Sequence, residues 1–305
     1  MNTPPRYKSP SALREAFERR HRSEPARQLV LIMQRFAARV CRHIDGAVIK
    51  GGLGLELRLD TPRTTKDADT IIAGSHELEQ RLQAAGMLDL GDFLRFRVIP
   101  DKQGPSFLVP GMPYPGQRFG VQAFFADRWP APNQPFRKFS VEISVREAAE
   151  FTTLESHWPG FEQVPRVELR VYDIHWQLAE KVHAYTDLRH RDATNSGMWR
   201  PRDLVDLCRC ATSSTDLGLD ADKLRHTLEQ TFERRRQAAE TLHALPGRLP
   251  ELPSAWAAQF DQIITEAQLP WTVDSAHELA ARLIDPVLGG HAKGRWSPAH
   301  GWLGE

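Results

Sequence analysis

Two aspartates one residue apart, Asp67 and Asp69, are the strongest chemical signal in the chain. They open the run Asp67-Ala68-Asp69-Thr70-Ile71-Ile72, which reads as a strand. Side chains at i and i+2 of a strand share a face, with their Cα atoms about 6–7 Å apart. Carboxylates held that close repel unless a cation lies between them. A hard divalent ion, Mg2+ or Mn2+, suits such a pair because it takes carboxylate, water and phosphate oxygens. Two such ions can clamp the attacking and leaving oxygens of a phosphoryl or nucleotidyl transfer. A third carboxylate, Glu142, lies on the polar side of another strand-like run, Phe139 to Val145, and is a candidate third metal ligand. Each of these acids, taken alone, also fits an ordinary charge on a solvated strand face.

Before the aspartates comes Lys50-Gly51-Gly52, between a short apolar run and a helix-like Leu53 to Leu59. Glycines allow close approach of a ligand to the backbone, helix N-terminal amides favour phosphate, and Lys50 adds a point charge. The pattern lacks the longer spacing of a Walker P-loop. A plain tight turn explains a Gly-Gly pair equally well.

The elements that must position these groups follow from periodicity. Helices are expected over 11–21 and 27–42, the second with Leu29, Ile32, Met33, Phe36, Ala37 and Val40 on one stripe. A strand over 47–49 precedes the glycines. A helix over 76–85 follows the aspartates, with Ser75 as N-cap and Gly86 as its stop. Strands are then expected over 93–99, 118–125, 138–145 and 166–172, with proline-rich connectors among them. From Asp173 the pattern is helical, over 174–187, 201–212, 221–243, 254–267 and 275–285, and the tail is irregular. This is an α/β (α+β) layout: a mixed-sheet domain over 1–172, with a basic N-terminal helix, followed by a helical domain over 173–305 that contributes to the active site.

The helical half has its own candidates. Asp173 N-caps a helix whose apolar stripe is Ile174, Leu178, Val182 and Tyr185, and Lys181 lies on or beside that stripe. Its ammonium must either reach water or meet an anion. Pro201 suits the first turn of the next helix, and Asp203 and Asp206 favour its positive end. Arg189, His190, Arg191, Arg200, Arg202 and Arg209 form a basic cluster near Tyr185 and Trp199, and Arg234, Arg235 and Arg236 form another. Arginines with aromatics suit phosphate contact and base stacking, although a solvated helix face also explains the triple arginine.

Bulk properties narrow the partners. With 40 basic and 39 acidic residues in 305, the net charge of +1 leaves nucleic-acid contact to a local patch. Three cysteines, Cys41, Cys208 and Cys210, make neither a disulfide framework nor a zinc set and are expected to be small buried residues. No signal-peptide core and no apolar run of membrane length is present, so a cytoplasmic protein with no membrane partner is expected.

In combination these motifs resemble the polymerase-beta-like nucleotidyltransferase superfamily, whose signature is Gly-Gly or Gly-Ser, then Asp-x-Asp, then a third carboxylate. Within it, Lys50-Gly51-Gly52 followed by Arg63-x-Thr65-x-Asp67-x-Asp69 resembles the AbiEii/AbiGii toxin family, which includes the MenT-type toxins. A second family signature, a helical lysine and then R-x-R-D-L-x-D-L, maps onto Lys181 and onto Arg200, Arg202, Asp203, Leu204, Asp206 and Leu207. The likeness spans roughly residues 27 to 240. Ala68 replaces the usual branched residue between the aspartates, and Leu53-Gly54-Leu55 is glycine-rich for its place.

The resemblance implies Lys50, Asp67, Asp69, Lys181 and Asp203 as catalytic residues. It implies nucleotide binding by Lys50, Gly51, Gly52, Arg63, Thr65 and Lys181. The metal would sit on Asp67, Asp69 and Glu142. Asp203 would orient either a basic residue or the nucleotide. The implied activity is Mg2+- or Mn2+-dependent transfer of a nucleotide from an NTP to the 3′ end of tRNA, as a toxin held in check by a cognate antitoxin. Transfer to a protein or small-molecule hydroxyl, and a non-catalytic RNA- or partner-binding module, are the alternatives.

Overall fold

The computed structural model describes residues 7–59, 65–100, 116–131, 134–146, 149–187, 200–238 and 244–304. They fall into two compact units. The first takes the residues as far as Leu57 and those from Thr65 to Tyr172; the second takes Asp173 onward together with Arg58 and Leu59.

In the sheet unit the chain runs through helices α1 (Pro10–Arg20) and α2 (Pro25–His43), strand β1 (Val48–Ile49), helix α3 (Gly51–Glu56), strand β2 (Asp67–Ile72) and helix α4 (Leu78–Met87). Strands β3 (Leu94–Pro100), β4 (Gly116–Phe125), β5 (Arg137–Val145), β6 (Phe151–Ser156) and β7 (Val167–Tyr172) complete it. The strands form one mixed sheet in the order β3-β4-β5-β2-β1-β7-β6. β2 runs parallel to β5 and β1 parallel to β7, and the other neighbours are antiparallel. Helices α1, α2 and α4 pack on one face, where Ala68, Ile72, Phe96, Val121, Val141 and Val171 join the core. Alternation along each strand then sends Asp67, Asp69 and Glu142 to the opposite face.

α1 is part of that core. Leu13 and Phe17 are buried, and Phe17 packs at ring-centroid distances of 4.4 Å from Trp158, 5.8 Å from Phe161, and 6.1 Å from both Phe125 and Phe136. α2 is tied to the start of β3 by charge. The Arg39 guanidinium donates to both carboxylate oxygens of Asp92, at 3.0 and 2.5 Å, and to the Leu88 and Leu94 carbonyls, with both side chains fully buried.

Some elements depart from the pattern reading. Gly86 is no helix stop: it lies inside α4, where a β-carbon would come within 2.8 Å of the Phe96 carbonyl oxygen, so it lets α4 sit close on β3. Ser75 is not the N-cap; Glu77 takes that place with a φ of 51°. β6 was not expected at all. It is an edge strand with mostly exposed side chains, so it carries little alternating signal.

The helical unit holds α5 (Ile174–Thr186), α6 (Pro201–Thr212), α7 (Ala221–Ala238), α8 (Ala257–Ala267) and α9 (Val273–Leu288). α6 is central, packed against α5, α8 and α9, and α5 also packs on α7. Asp173 caps α5 by accepting from the His175 amide at 3.0 Å, and it also bonds the His175 ring and Lys223 at the start of α7, each at 3.0 Å. α9 opens with a Thr272–Ser275 capping box and continues through Pro286 to Leu288, beyond its expected end. The tail is ordered as a hairpin of β8 (Arg295–Ser297) and β9 (Gly301–Leu303). Its Trp296 and Trp302 indoles donate to the carbonyls of Ala211 and Leu283 at 3.2 and 2.8 Å. No described helix is long and apolar enough to cross a membrane.

Burial alone would raise the Asp92 carboxyl, but the Arg39 charge and hydrogen bonds, helped by Arg35, hold it below its ordinary value. A depressed carboxylate adds stability above the ordinary carboxylate range and loses it as pH falls through the folded-state value. Asp92→Asn should therefore cost about 3–5 kcal/mol at neutral pH by leaving Arg39 buried without its anion. Urea denaturation of both proteins from pH 7 to pH 3 should show the gap narrowing on acidification.

Candidate active site

The geometry around Asp69 starts from the backbone. Lys50 closes β1 by donating its amide to the Asp69 carbonyl at 2.9 Å, and its own carbonyl accepts from the Gly54 amide at 3.2 Å as α3 begins. Gly51 follows with a φ of +62°, in the region that favours glycine. A β-carbon at Gly51 would lie 1.8 Å from Asp69 Oδ2 and 2.7 Å from Asp69 Cγ. The Asp69 carboxylate thus fills the space that a side chain at position 51 would need. α3 has only six residues, so the phosphate argument from a helix terminus carries little weight here, and the first glycine serves the carboxylate directly.

Sheet register brings the other candidates alongside. Asp67 is the partner of Ser140, and Asp69 the partner of Glu142, across the parallel β2–β5 pair. Glu142 is in turn the partner of Arg118 across β5–β4. One row of side chains therefore crosses three neighbouring strands in the order Asp69, Glu142, Arg118, and Lys50, just past the end of β1, is bonded beside it through its amide. Arg118 Nη2 donates to Glu142 Oε1 in a close ion pair. Thr65 Oγ1 donates to the Asp67 carbonyl at 3.3 Å and so braces the start of β2. Arg63 lies outside the described residues.

Among the described residues no group of three or more His, Cys, Asp or Glu side chains is arranged to hold a metal ion. Asp67 and Asp69 nevertheless offer hard oxygens from one half-buried strand face. That donor set fits a cation of the Mg2+ type, which binds through one or two carboxylates and completes its shell with phosphate and water oxygens.

In the helical unit, Lys181 meets its anion. Its ammonium lies 3.1 Å from Asp203 Oδ1 and 2.6 Å from Asp206 Oδ2, and Arg209 Nη1 lies 3.1 Å from Asp206 Oδ1. The Asp206 and Arg209 side chains are 0% exposed, and those of Lys181 and Asp203 nearly so. Asp203 Oδ2 is buried with no hydrogen-bond partner among the described residues. Asp203 thus lies against a basic residue, Lys181. The helix dipole is a minor reason for these acids; neutralising buried cations is the larger one.

The sequence marks Asp206 only as a helix-dipole acid and a member of the second signature, not as a partner of Lys181. Its signal was present, because Asp203 and Asp206 at i and i+3 share a helix face, but only the fold shows that Lys181 lies opposite. Arg209, read as part of a basic nucleic-acid patch, is instead buried on Asp206. Tyr185 is no stacking platform either: it is fully buried and donates to the Pro250 carbonyl at 2.9 Å. Arg200 and Arg202 are exposed, whereas residues 188–199, with Arg189, His190, Arg191 and Trp199, lie outside the described set. Arg234 stacks over Trp176 at 4.4 Å, and Arg236 pairs with Glu233. All three cysteines are free and buried. Burial, then the Asp206 charge, pushes the Cys210 thiol up to about 12, which favours its neutral form.

Two outcomes follow. Gly51→Ala should lose about 2 kcal/mol of stability or more, from strained φ and the clash with Asp69. It should also weaken Mn2+ binding, which urea denaturation and calorimetry would measure. Asp206→Ala should cost about 3–5 kcal/mol by stranding two buried cations, and adding Lys181→Met should recover part of that loss.

A search of curated proteins finds no match. Among solved structures, JHP933 from Helicobacter pylori aligns at 16% identity over 88% of this chain and 94% of its own, with a TM-score of 0.47. A second H. pylori structure, of a protein assigned as a nucleotidyltransferase, aligns at 16% identity over 88% of this chain and 93% of its own, with a TM-score of 0.43. The family comparison reaches further: the model for the nucleotidyl transferase AbiEii toxin, of type IV toxin–antitoxin systems, matches residues 35–279. That match takes in both charged clusters and well over half of the sequence, and this chain belongs to the AbiEii nucleotidyl transferase toxin family.

Proposed function

We propose that this toxin-family nucleotidyltransferase transfers a nucleotide from an NTP to the 3′ end of tRNA, with Asp67 and Asp69 at the reacting centre. The observation that carries the reading is the seating of Asp69 against Gly51, beside Asp67 on the same strand face. That contact fixes one carboxylate where any larger residue at 51 would displace it. Family membership supplies the nucleotidyl chemistry and implies a cognate antitoxin. The tRNA acceptor rests on the motif likeness to MenT-type toxins.

In the proposed reaction the terminal hydroxyl of the acceptor attacks the α-phosphate of the NTP. A new oxygen–phosphorus bond forms, the bond to the β-phosphate oxygen breaks, pyrophosphate leaves, and the hydroxyl proton passes to solvent. Asp67 and Asp69 hold a divalent cation, Mg2+ or Mn2+. When bound, that ion offsets charge on the attacking and leaving oxygens. Lys50 gives a point charge for the triphosphate, and Gly51 and Gly52 keep the backbone beside it uncrowded. By the motif likeness Lys181, which is paired with Asp203 and Asp206, is the residue that would take a phosphate.

Incubation with total tRNA and each α-labelled NTP in turn tests the reading. Label should appear on tRNA with at least one nucleotide. Asp67→Ala should reduce it by about a thousandfold or more while melting within a few degrees of the parent protein. Label on protein or on a small molecule, with none on tRNA, would overturn the acceptor assignment. Unchanged labelling by folded Asp67→Ala would overturn the site.

A further inference from the structure

Arg97, on β3, is clasped between two rings. Its guanidinium carbon lies 5.3 Å from the centroid of Phe124 and 5.2 Å from that of Trp129. Phe124 is buried, whereas Trp129, set edge-on to it at 5.9 Å, is 41% exposed. We propose that this arginine–aromatic platform, with Lys138 beside it, is where the unpaired 3′ end of the RNA acceptor docks, and that the strand runs from there across β4 and β5 to Asp67. This rests on the tRNA reading above and names the surface that would hold the acceptor.

Register gives the first argument. Phe96, Val98, Val121, Ala123, Phe139 and Val141 belong to the core under the helices. Alternation therefore sends Arg97, Gln122, Phe124, Lys138 and Ser140 to the other face, which Asp67 and Asp69 share. Arg97, Gln122 and Lys138 are register partners in one row across β3, β4 and β5. The next row on that face runs Ile99, Gly120, Ser140, Asp67. From the strand and residue spacings, the Cα atoms of Arg97 and Asp67 are about 16 Å apart. A few nucleotides of an unpaired strand cover that distance, and a single nucleotide does not.

The second argument is charge together with stacking. Arg97 is held by ring faces, Lys138 is exposed, and neither has a carboxylate partner among the described residues. The acids beside these strands are matched: Asp89 lies 3.6 Å from Arg95, Glu142 pairs with Arg118, and Asp127 is followed by Arg128 in the segment that carries Trp129. The surface thus combines positive charge with an exposed indole. An indole stacks on any base whose faces are free, which an unpaired strand offers and a duplex does not. A protein partner fits less well, because the cores of protein interfaces are depleted in charged residues, lysine above all.

The test uses the full chain and its variants Trp129→Ala, Trp129→Phe and Lys138→Gln. Phe151→Ala, which removes an exposed aromatic on the far edge strand β6, is the control. The probes are total tRNA and a short unpaired RNA carrying the tRNA 3′ sequence, both followed by fluorescence anisotropy, and NTP with Mn2+, followed by calorimetry. Trp129→Ala should lose about tenfold in affinity for both RNAs, and Trp129→Phe less. Lys138→Gln should lower the slope of log affinity against log salt by roughly 0.7, the share of one phosphate contact. NTP binding should stay within about twofold of the parent throughout. Trp129 covers Phe124, so a fall in melting temperature in Trp129→Ala leaves the decision to Trp129→Phe and to the exposed Lys138. The proposal is overturned if Lys138→Gln keeps the parent's RNA affinity and salt slope, if Phe151→Ala loses as much as Trp129→Ala, or if the losses fall on NTP instead of RNA. A parent that binds the unpaired RNA through this face yet labels no tRNA would sink the transfer reading and keep the docking face. Labelling of tRNA with unchanged KM in every variant would do the reverse.

Discussion

The space beside Gly51 is the constraint on which the placement of Asp69 turns. A carboxylate occupies the volume that a β-carbon would take, and the backbone there has the left-handed φ that only glycine adopts without strain. The same residue therefore turns the chain from β1 into α3 and clears room for Asp69. The Lys50 amide is bonded to the Asp69 carbonyl, so main chain and side chain of one strand residue are both fixed by the same short stretch. Register does the rest, because once β2 is set against β5, Asp67 meets Ser140 and Asp69 meets Glu142 with no further choice.

Within each unit, charged side chains are buried against one another. Arg39 and Asp92 are wholly enclosed between α2 and the start of β3, with the remaining guanidinium donors on carbonyl oxygens. Lys181, Asp203, Asp206 and Arg209 bring two positive and two negative charges into the middle of the helical unit. Such sets contribute little net stability compared with apolar packing, but removing one member is costly. They add a charged match to the apolar stripe of α6, where Leu204, Leu207, Cys208 and Ala211 share one buried face.

Much of this was legible in the sequence because it depends on local pattern. The strand carrying Asp67 and Asp69, the glycine turn before it, the cap at Asp173 and the helix beginning at Pro201 all announce themselves through residue type and period. What was not legible depends on pairing between distant segments. Nothing in Arg118 or in Asp206 names its partner; the first needs the β4–β5 register and the second needs the packing of α5 on α6. Gly86 misled because a glycine near a helix end usually marks a stop, whereas here it answers to β3 across the core. The C-terminal hairpin was missed because its anchors lie on distant segments: two indole hydrogen bonds to other helices, the Trp296 amide on the Leu219 carbonyl, and Arg282 on the Pro298 and Ala299 carbonyls.

The boundary of the family match and the boundary of the folded body are different things. The match opens at residue 35, inside α2, yet Phe17 of α1 lies at the centre of the ring cluster formed with Phe125, Phe136, Trp158 and Phe161. A shortened chain cut to the matched segment would carry an open aromatic socket on its surface, a sticky patch that invites self-association in place of solubility. The opening helix, outside every recognised motif, thus works as a stopper for the sheet unit.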